Sequence, residues 1–403
     1  MISLRPHIRT ALGYFFMAAL LGAVLRFFHV LEIGVTYKFV VHGHSHIALL
    51  GWVYLVLTTL IYKSHIQQEH QDARHLRIFW FTQVTLIGML ITFPLQGYAF
   101  FSILFSTLFL FASYAFLWFF LKHGKQESRG TPSHTMLKAA LWYMALSSLG
   151  PWALGGIMTF MGPESFWYRM AIYFYLHFQY NAWMVMALLG LFFYLLEKKN
   201  IVFSPGWFRS FFWQLNAGVL LSVFLSALFQ DPPWYLYLLG GMGAVLQLLA
   251  FLRLGHTLFK TGKRFLVDGM AKWLFWATTL CLGIKMVLQL LSALPYFAQL
   301  ANVHKDLVIG YLHWTFLGAL GLGLLFLCHC MALLTIKKWT FGCYLLGFLG
   351  TEILIFYRGI AAWLGTGHFA GHQQALAWAS MLMALAVAAL LFTNLGNPSQ
   401  KAP

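Results

Sequence analysis

What this chain can fold into is limited first by a succession of apolar runs, each about one bilayer thickness long and separated by short polar connections. A helix rises 1.5 Å per residue, so about twenty apolar residues cross the hydrocarbon core, and runs of that length leave few other folds open. The pattern predicts about twelve spans: 11–28, 40–62, 78–96, 98–121, 136–161, 170–196, 208–229, 234–254, 272–294, 307–335, 339–361 and 370–395. Of the 403 residues, 61% are hydrophobic and 9% charged, a balance that no water-soluble globular domain requires. The expected fold class is all-α, a polytopic membrane bundle of about twelve transmembrane helices. It forms a single domain over 1–395 with a short tail over 396–403. Pro94, Pro151 and Pro295 lie in or at the ends of spans, where neighbouring helices can satisfy the backbone groups that a kink releases.

The formal charge of +16 does not point to nucleic acid, because the basic residues sit in short loops and form no interleaved patch. Topology accounts for them. The N-terminus, the tail and every second connection hold twenty lysines and arginines. The alternate connections hold five, Arg26, Lys38, Arg169, Lys305 and Arg358, and Lys285 stands inside a span. Such asymmetry predicts that both termini are cytoplasmic. Cys281, Cys328, Cys330 and Cys343 lie in or beside apolar runs, which argues against a disulfide scaffold. Residues 1–10 are basic, but the apolar run that follows is too long for a cleavable signal and reads as the first span.

Ionisable side chains inside spans are expensive and mark function. The second span opens His42-Gly43-His44-Ser45-His46-Ile47-Ala48-Leu49-Leu50-Gly51-Trp52. At 100° per residue, His42 and His46 fall within about 40° of each other and His44 about 200° away, so one helix presents imidazole to two sides. Neutral imidazole is a common ligand for haem iron and copper. On the predicted orientation, His29, His42, His44, His46, His177, His304, His313, His368 and His372 belong to the outer half. His177 is expected about 12 Å into span six, with His313 at a similar depth in span ten. Tyr180, one turn from His177, could face the same centre. His7, His65, His70, His75, His123, His134 and His256 fall in cytoplasmic connections and read as solvated or headgroup-facing. Lys285 and Glu352 sit near mid-membrane and are expected as a pair or around a watered pocket.

Twelve spans, inside termini and outer-half histidines on spans two, six and ten resemble subunit I of the haem-copper oxidase superfamily. The run His44–Trp52 resembles the His-x-His of cbb-type oxidases and nitric oxide reductases, though there it belongs to span ten. It is also similar to the early His-x-His of NnrS-type haem-and-copper membrane proteins. The resemblance implies a bacterial cytoplasmic membrane, a haem with His313 and one of His42, His44 or His46 as axial ligands, and a cytochrome or other electron-donor subunit as partner. It also implies a copper or non-haem iron ligand at His177 and a propionate-binding role for Arg358. The chain departs from the pattern. It has Phe229-Gln230-Asp231-Pro232-Pro233 where the oxidases have a histidine pair, His313-Trp314-Thr315 in place of a His-x-His, and no His-x-x-x-Tyr. His368 and His372, one turn apart, are candidate replacement ligands. The implied chemistry is oxidoreductase-like, on dioxygen or nitric oxide, or the handling of a diatomic gas. Two alternatives stand beside it: a transporter of metal, haem or protons, in which no span looks interrupted, and a family member without cofactors.

Overall fold

The structure is a computed structural model that describes residues 1–230, 232–260 and 268–396. Asp231, Lys263, Arg264 and the tail from 397, with Lys401, lie outside the described residues. Every regular element among those described is helical. Eleven helices are long and apolar enough to cross a bilayer: α1 (Arg5–Phe27), α2 (Tyr37–Ile66), α3 (Glu69–Gln96), α4 (Phe100–His123), α7 (Phe166–Lys198), α8 (Pro205–Gln230), α9 (Trp234–Lys260), α10 (Gly269–Leu291), α12 (Lys305–Cys330), α13 (Lys338–Leu364) and α14 (His372–Leu395). Apolar side chains such as Trp80, Ile91 and Leu95 on α3, and Leu385 and Phe392 on α14, face outward. This is a helical membrane protein.

The predicted fifth span, 136–161, is not one rod. It is split into α5 (Pro132–Ser147) and α6 (Leu149–Phe160), with a turn at Ser148. Pro151 has no N–H for the carbonyl four residues earlier, and its ring crowds that turn, so the helix breaks where the sequence suggested only a kink. A short α11 (Pro295–Val303), opened by Pro295 at its first position, precedes α12.

The chain divides into two compact units. The first comprises 1–124, 269–274 and 321–403, and the second 125–268 and 275–320. In the first, α1 packs on α2 and α14, α13 on α14, and α3 on both α2 and α4. Two glycines of the span-two motif make this possible. A Cβ on Gly43 would stand 2.9 Å from the Pro94 ring, and one on Gly51 would stand 2.8 Å from Tyr14. Gly97, at φ +62°, ends α3 in a conformation open to glycine. In the second unit α5 and α6 lie against α7, and α8 packs on α9. There a Cβ on Gly243 would collide with the Ser222 amide at 2.3 Å, so the two backbones touch.

Burial ranks the helices. The apolar stretch of α2 is 83% buried, that of α7 78% and that of α12 67%, against 28–50% for the other eight. These three are the spans that carry His42 to His46, His177 and His313. Each also departs from α-helical winding beside its histidine, with π-helical stretches over Ile47–Tyr54, His177–Met184 and Trp314–Leu322. A further π turn, Tyr62–Ile66, closes α2.

Candidate functional site

In the first unit, α2 distributes its imidazoles as the 100° rule requires. His42 and His46 share a face: the His46 ring stacks on Phe93 at 4.2 Å, and His42 meets Tyr98 edge-on at 4.6 Å. His44 points the other way, to α1, where its Nδ1–H donates to the Ala18 carbonyl at 2.8 Å. A Cβ on Gly22 would lie 3.0 Å from His44 Cε1, so the absence of a side chain there admits the ring. His46 Nδ1–H donates to the His42 carbonyl at 2.9 Å, and the Tyr98 hydroxyl lies 3.4 Å from its Nε2. A carbonyl can only accept, so in both rings Nδ1 carries the proton and Nε2 is the basic nitrogen. Metal-ligating histidines are fixed in this way, one nitrogen tied to a backbone acceptor and the other turned to the metal.

In the second unit, His177 is held differently. Its Nε2–H donates to the Val219 carbonyl at 3.0 Å, and its Nδ1 accepts from the Asn181 amide at 3.3 Å. The Asn181 carbonyl oxygen in turn accepts from Lys285, which also donates to the Gln289 carbonyl oxygen. Both ring nitrogens are thus engaged by protein, and ligation by His177 would require one of these bonds to break. Tyr180 packs edge-on against Tyr311 at 6.4 Å and against Phe316 at 5.7 Å. His313 is half-buried, and the neighbouring Trp314 N–H donates to the Cys281 carbonyl at 2.9 Å. His313 belongs to the second unit and the span-two histidines to the first.

The buried charges find neighbours within their own units. Lys285 uses two neutral amides. Glu352 is buried and feels the charge of Arg26, which is itself buried at the end of α1 instead of standing in a connection. On α14, His372 is buried, and its Nε2–H donates to the Leu354 carbonyl at 2.9 Å, which leaves Nδ1 as the basic nitrogen. The His368 ring is exposed and lies 5.2 Å from that of His372. Arg358 donates to the Gln373 side chain at 3.3 Å.

Three histidines expected at the polar surface are buried instead: His7, His65 and His75. The reason is local. The N-terminal segment folds back so that the Ile2 amide donates to Asp72 at 2.7 Å, and the Tyr62 hydroxyl donates to the same carboxylate. His75 stacks flat on Tyr62 at 3.7 Å, with His7 on its other side at 5.2 Å. Sequence reading missed Asn181 and Gln289 as well. Their only signal was being amides in apolar runs.

Among the described residues, no three His, Cys, Asp or Glu side chains come close enough to hold a metal ion by themselves. A porphyrin supplies four ligands of its own, so a haem would ask the chain for only one or two imidazoles. His44 and His46 have Nδ1 tied to a backbone carbonyl, the way imidazole ligands are commonly held, with His46 Nε2 also 3.4 Å from the Tyr98 hydroxyl, whereas His177 is held through Nε2 and Nδ1 by Val219 and Asn181. No protein-family model and no curated protein matches the sequence.

Proposed function

We propose that this is a membrane haem protein of the haem-copper oxidase subunit I type, with about twelve spans if the split α5 and α6 count as one, and with cytoplasmic termini in a bacterial inner membrane. One observation carries the reading. Imidazoles occupy the three most buried helices, each beside a π-helical stretch, a form of winding that is rare and concentrates at functional sites. His44 and His46 are the candidate iron ligands, with His313 and Arg358 as further cofactor-binding candidates. When bound, haem supplies one-electron chemistry or a site for a diatomic gas. The chain itself supplies imidazole of fixed tautomer, apolar surroundings that exclude water, and a guanidinium suited to carboxylates. Dioxygen or nitric oxide is the proposed substrate, and a cytochrome or similar subunit the electron donor. A copper or non-haem iron partnered by His368 and His372 is a weaker component of the proposal, because only two imidazoles meet there. The deciding experiment is the visible spectrum of the purified, dithionite-reduced protein. A haem α-band is expected, and a preparation that takes up no haem on reconstitution rejects the proposal.

A second reading, transport of a metal ion, haem or protons, is favoured by the break between α5 and α6. Interrupted helices with released carbonyls at membrane depth are common at transporter sites. Substrate flux in proteoliposomes without any haem band would select it.

A further inference from the structure

Lys285 is fully buried on α10, and among the described residues it makes no ion pair. Its partners are the carbonyl oxygens of Asn181 and Gln289. Those two bonds settle how both amides are turned. An ammonium has donors and no acceptor, so each amide must offer oxygen to Nζ and direct its NH2 elsewhere. For Asn181 the consequence is a good one, because its NH2 then meets His177 Nδ1. Gln289 has no such outlet. Its Nε2 is buried and has no hydrogen-bond partner, and the side chain cannot be flipped without setting NH2 against the ammonium. One place in the second unit therefore combines three deficits: a charge without a counter-charge, a third ammonium N–H beyond the two that Asn181 and Gln289 accept, and a primary amide whose two N–H groups meet no acceptor.

Each deficit is costly in an apolar surrounding. An unpaired buried charge costs several kcal/mol, and an unsatisfied buried donor about 1–3 kcal/mol. Deprotonating the lysine would remove the charge and the third N–H and would let Gln289 turn one N–H to the amine lone pair, but the other amide N–H would still meet no acceptor and the amide oxygen would lose its donor. A single anion touching both groups removes all three. Nε2 shares an amide plane with the oxygen that Nζ contacts, so both donors lie within reach of one ion. The geometry points to a binding site for a small monovalent anion of halide size, seated between Lys285 Nζ and Gln289 Nε2 and stabilised by charge-assisted hydrogen bonds. The amides at the site bring no charge of their own, so one negative charge balances it. A divalent anion would leave an excess. The inference is independent of any haem, because it rests on α7 and α10 within one unit.

The test uses the full chain, purified in detergent, with radiolabelled chloride in equilibrium dialysis. Thermal unfolding is followed in parallel in chloride and in gluconate at equal ionic strength. Wild-type protein should bind about one chloride per chain saturably, and its midpoint should be higher in chloride. Gln289→Leu, which keeps the charge but loses the amide donors, should weaken binding about tenfold. Lys285→Met should abolish it. Because Lys285→Met could fail to fold, Gln289→Glu is the second variant. A carboxylate built in beside the ammonium supplies the missing counter-charge, so chloride binding should vanish and the midpoint should rise and become indifferent to chloride. Wild-type protein without saturable chloride binding overturns the inference and leaves Lys285 as a neutral amine. Undiminished binding in Gln289→Glu overturns it equally.

Discussion

The imidazoles of α2 and the imidazole of α7 sit beside similar π-helical stretches, yet they are bonded in opposite ways. His44 and His46 each give Nδ1–H to one backbone carbonyl, which fixes the ring and directs the basic Nε2 away from that partner. His177 gives Nε2–H to Val219 and takes a hydrogen bond at Nδ1 from Asn181. A buried histidine on a rare helical form is therefore not by itself a ligand. What separates the two cases is which nitrogen the backbone holds, Nδ1 at His44 and His46 and Nε2 at His177, and whether the other meets an exposed residue, as His46 does at Tyr98, or a buried one, as His177 does at Asn181.

The sharpest way to break this comparison is to delete the rings. With haem bound as proposed, one of His44→Ala and His46→Ala, whose rings face opposite sides and so address different sites, should remove most of the reduced haem absorbance, whereas His177→Ala should keep the band. The reverse pattern in the spectra of the three purified variants would invert the assignment. The next effect concerns the His177 side. Asn181→Leu removes an acceptor from Lys285 and a donor from His177, leaving a buried charge under-satisfied. The expected loss is about 3 kcal/mol of stability, read as a lowered denaturation midpoint. Gly22→Ala probes the α2 side. Its methyl would press on His44 at 3.0 Å, costing about 1 kcal/mol and, through a tilt of the ring, shifting the haem band while haem content is retained. Tyr98→Phe should do least. It removes a 3.4 Å contact to His46 Nε2 at an exposed residue, and a stability change within about 0.5 kcal/mol is expected.

The membrane bundle was legible because twenty-residue apolar runs have few other uses, and the two-sided presentation of His42, His44 and His46 followed from helical periodicity alone. The break at Ser148 was half-legible. Pro151 announced a distortion, but the length and apolarity of 136–161 concealed that neither half spans alone. The π stretches were not legible, because one extra residue in a run such as Ile47–Tyr54 changes neither composition nor hydropathy. Nor were the partners of Lys285, since Asn181 lies over a hundred positions away and no charge announces it. His7, His65 and His75 were misplaced for a related reason. Their basic, polar neighbours suggest a solvated loop, while the contacts that bury them come from a fold-back of the N-terminal segment onto Asp72.

The π stretches also bear on how such a chain can change. Each is a local phase shift in the sequence periodicity, because an extra residue is taken up by under-winding between the imidazole at one end and the packed face at the other. Loss of a single codon within Ile47–Tyr54 would let that stretch relax to α-helical winding with little rotation of what lies beyond it, whereas the same loss in an α-helical stretch would turn everything beyond by about 100° relative to His44 and His46. The same holds for His177–Met184 and Trp314–Leu322. In these three helices the π stretches are therefore places where one residue can be gained or lost while the histidine at one end keeps its bearing on the packed face at the other.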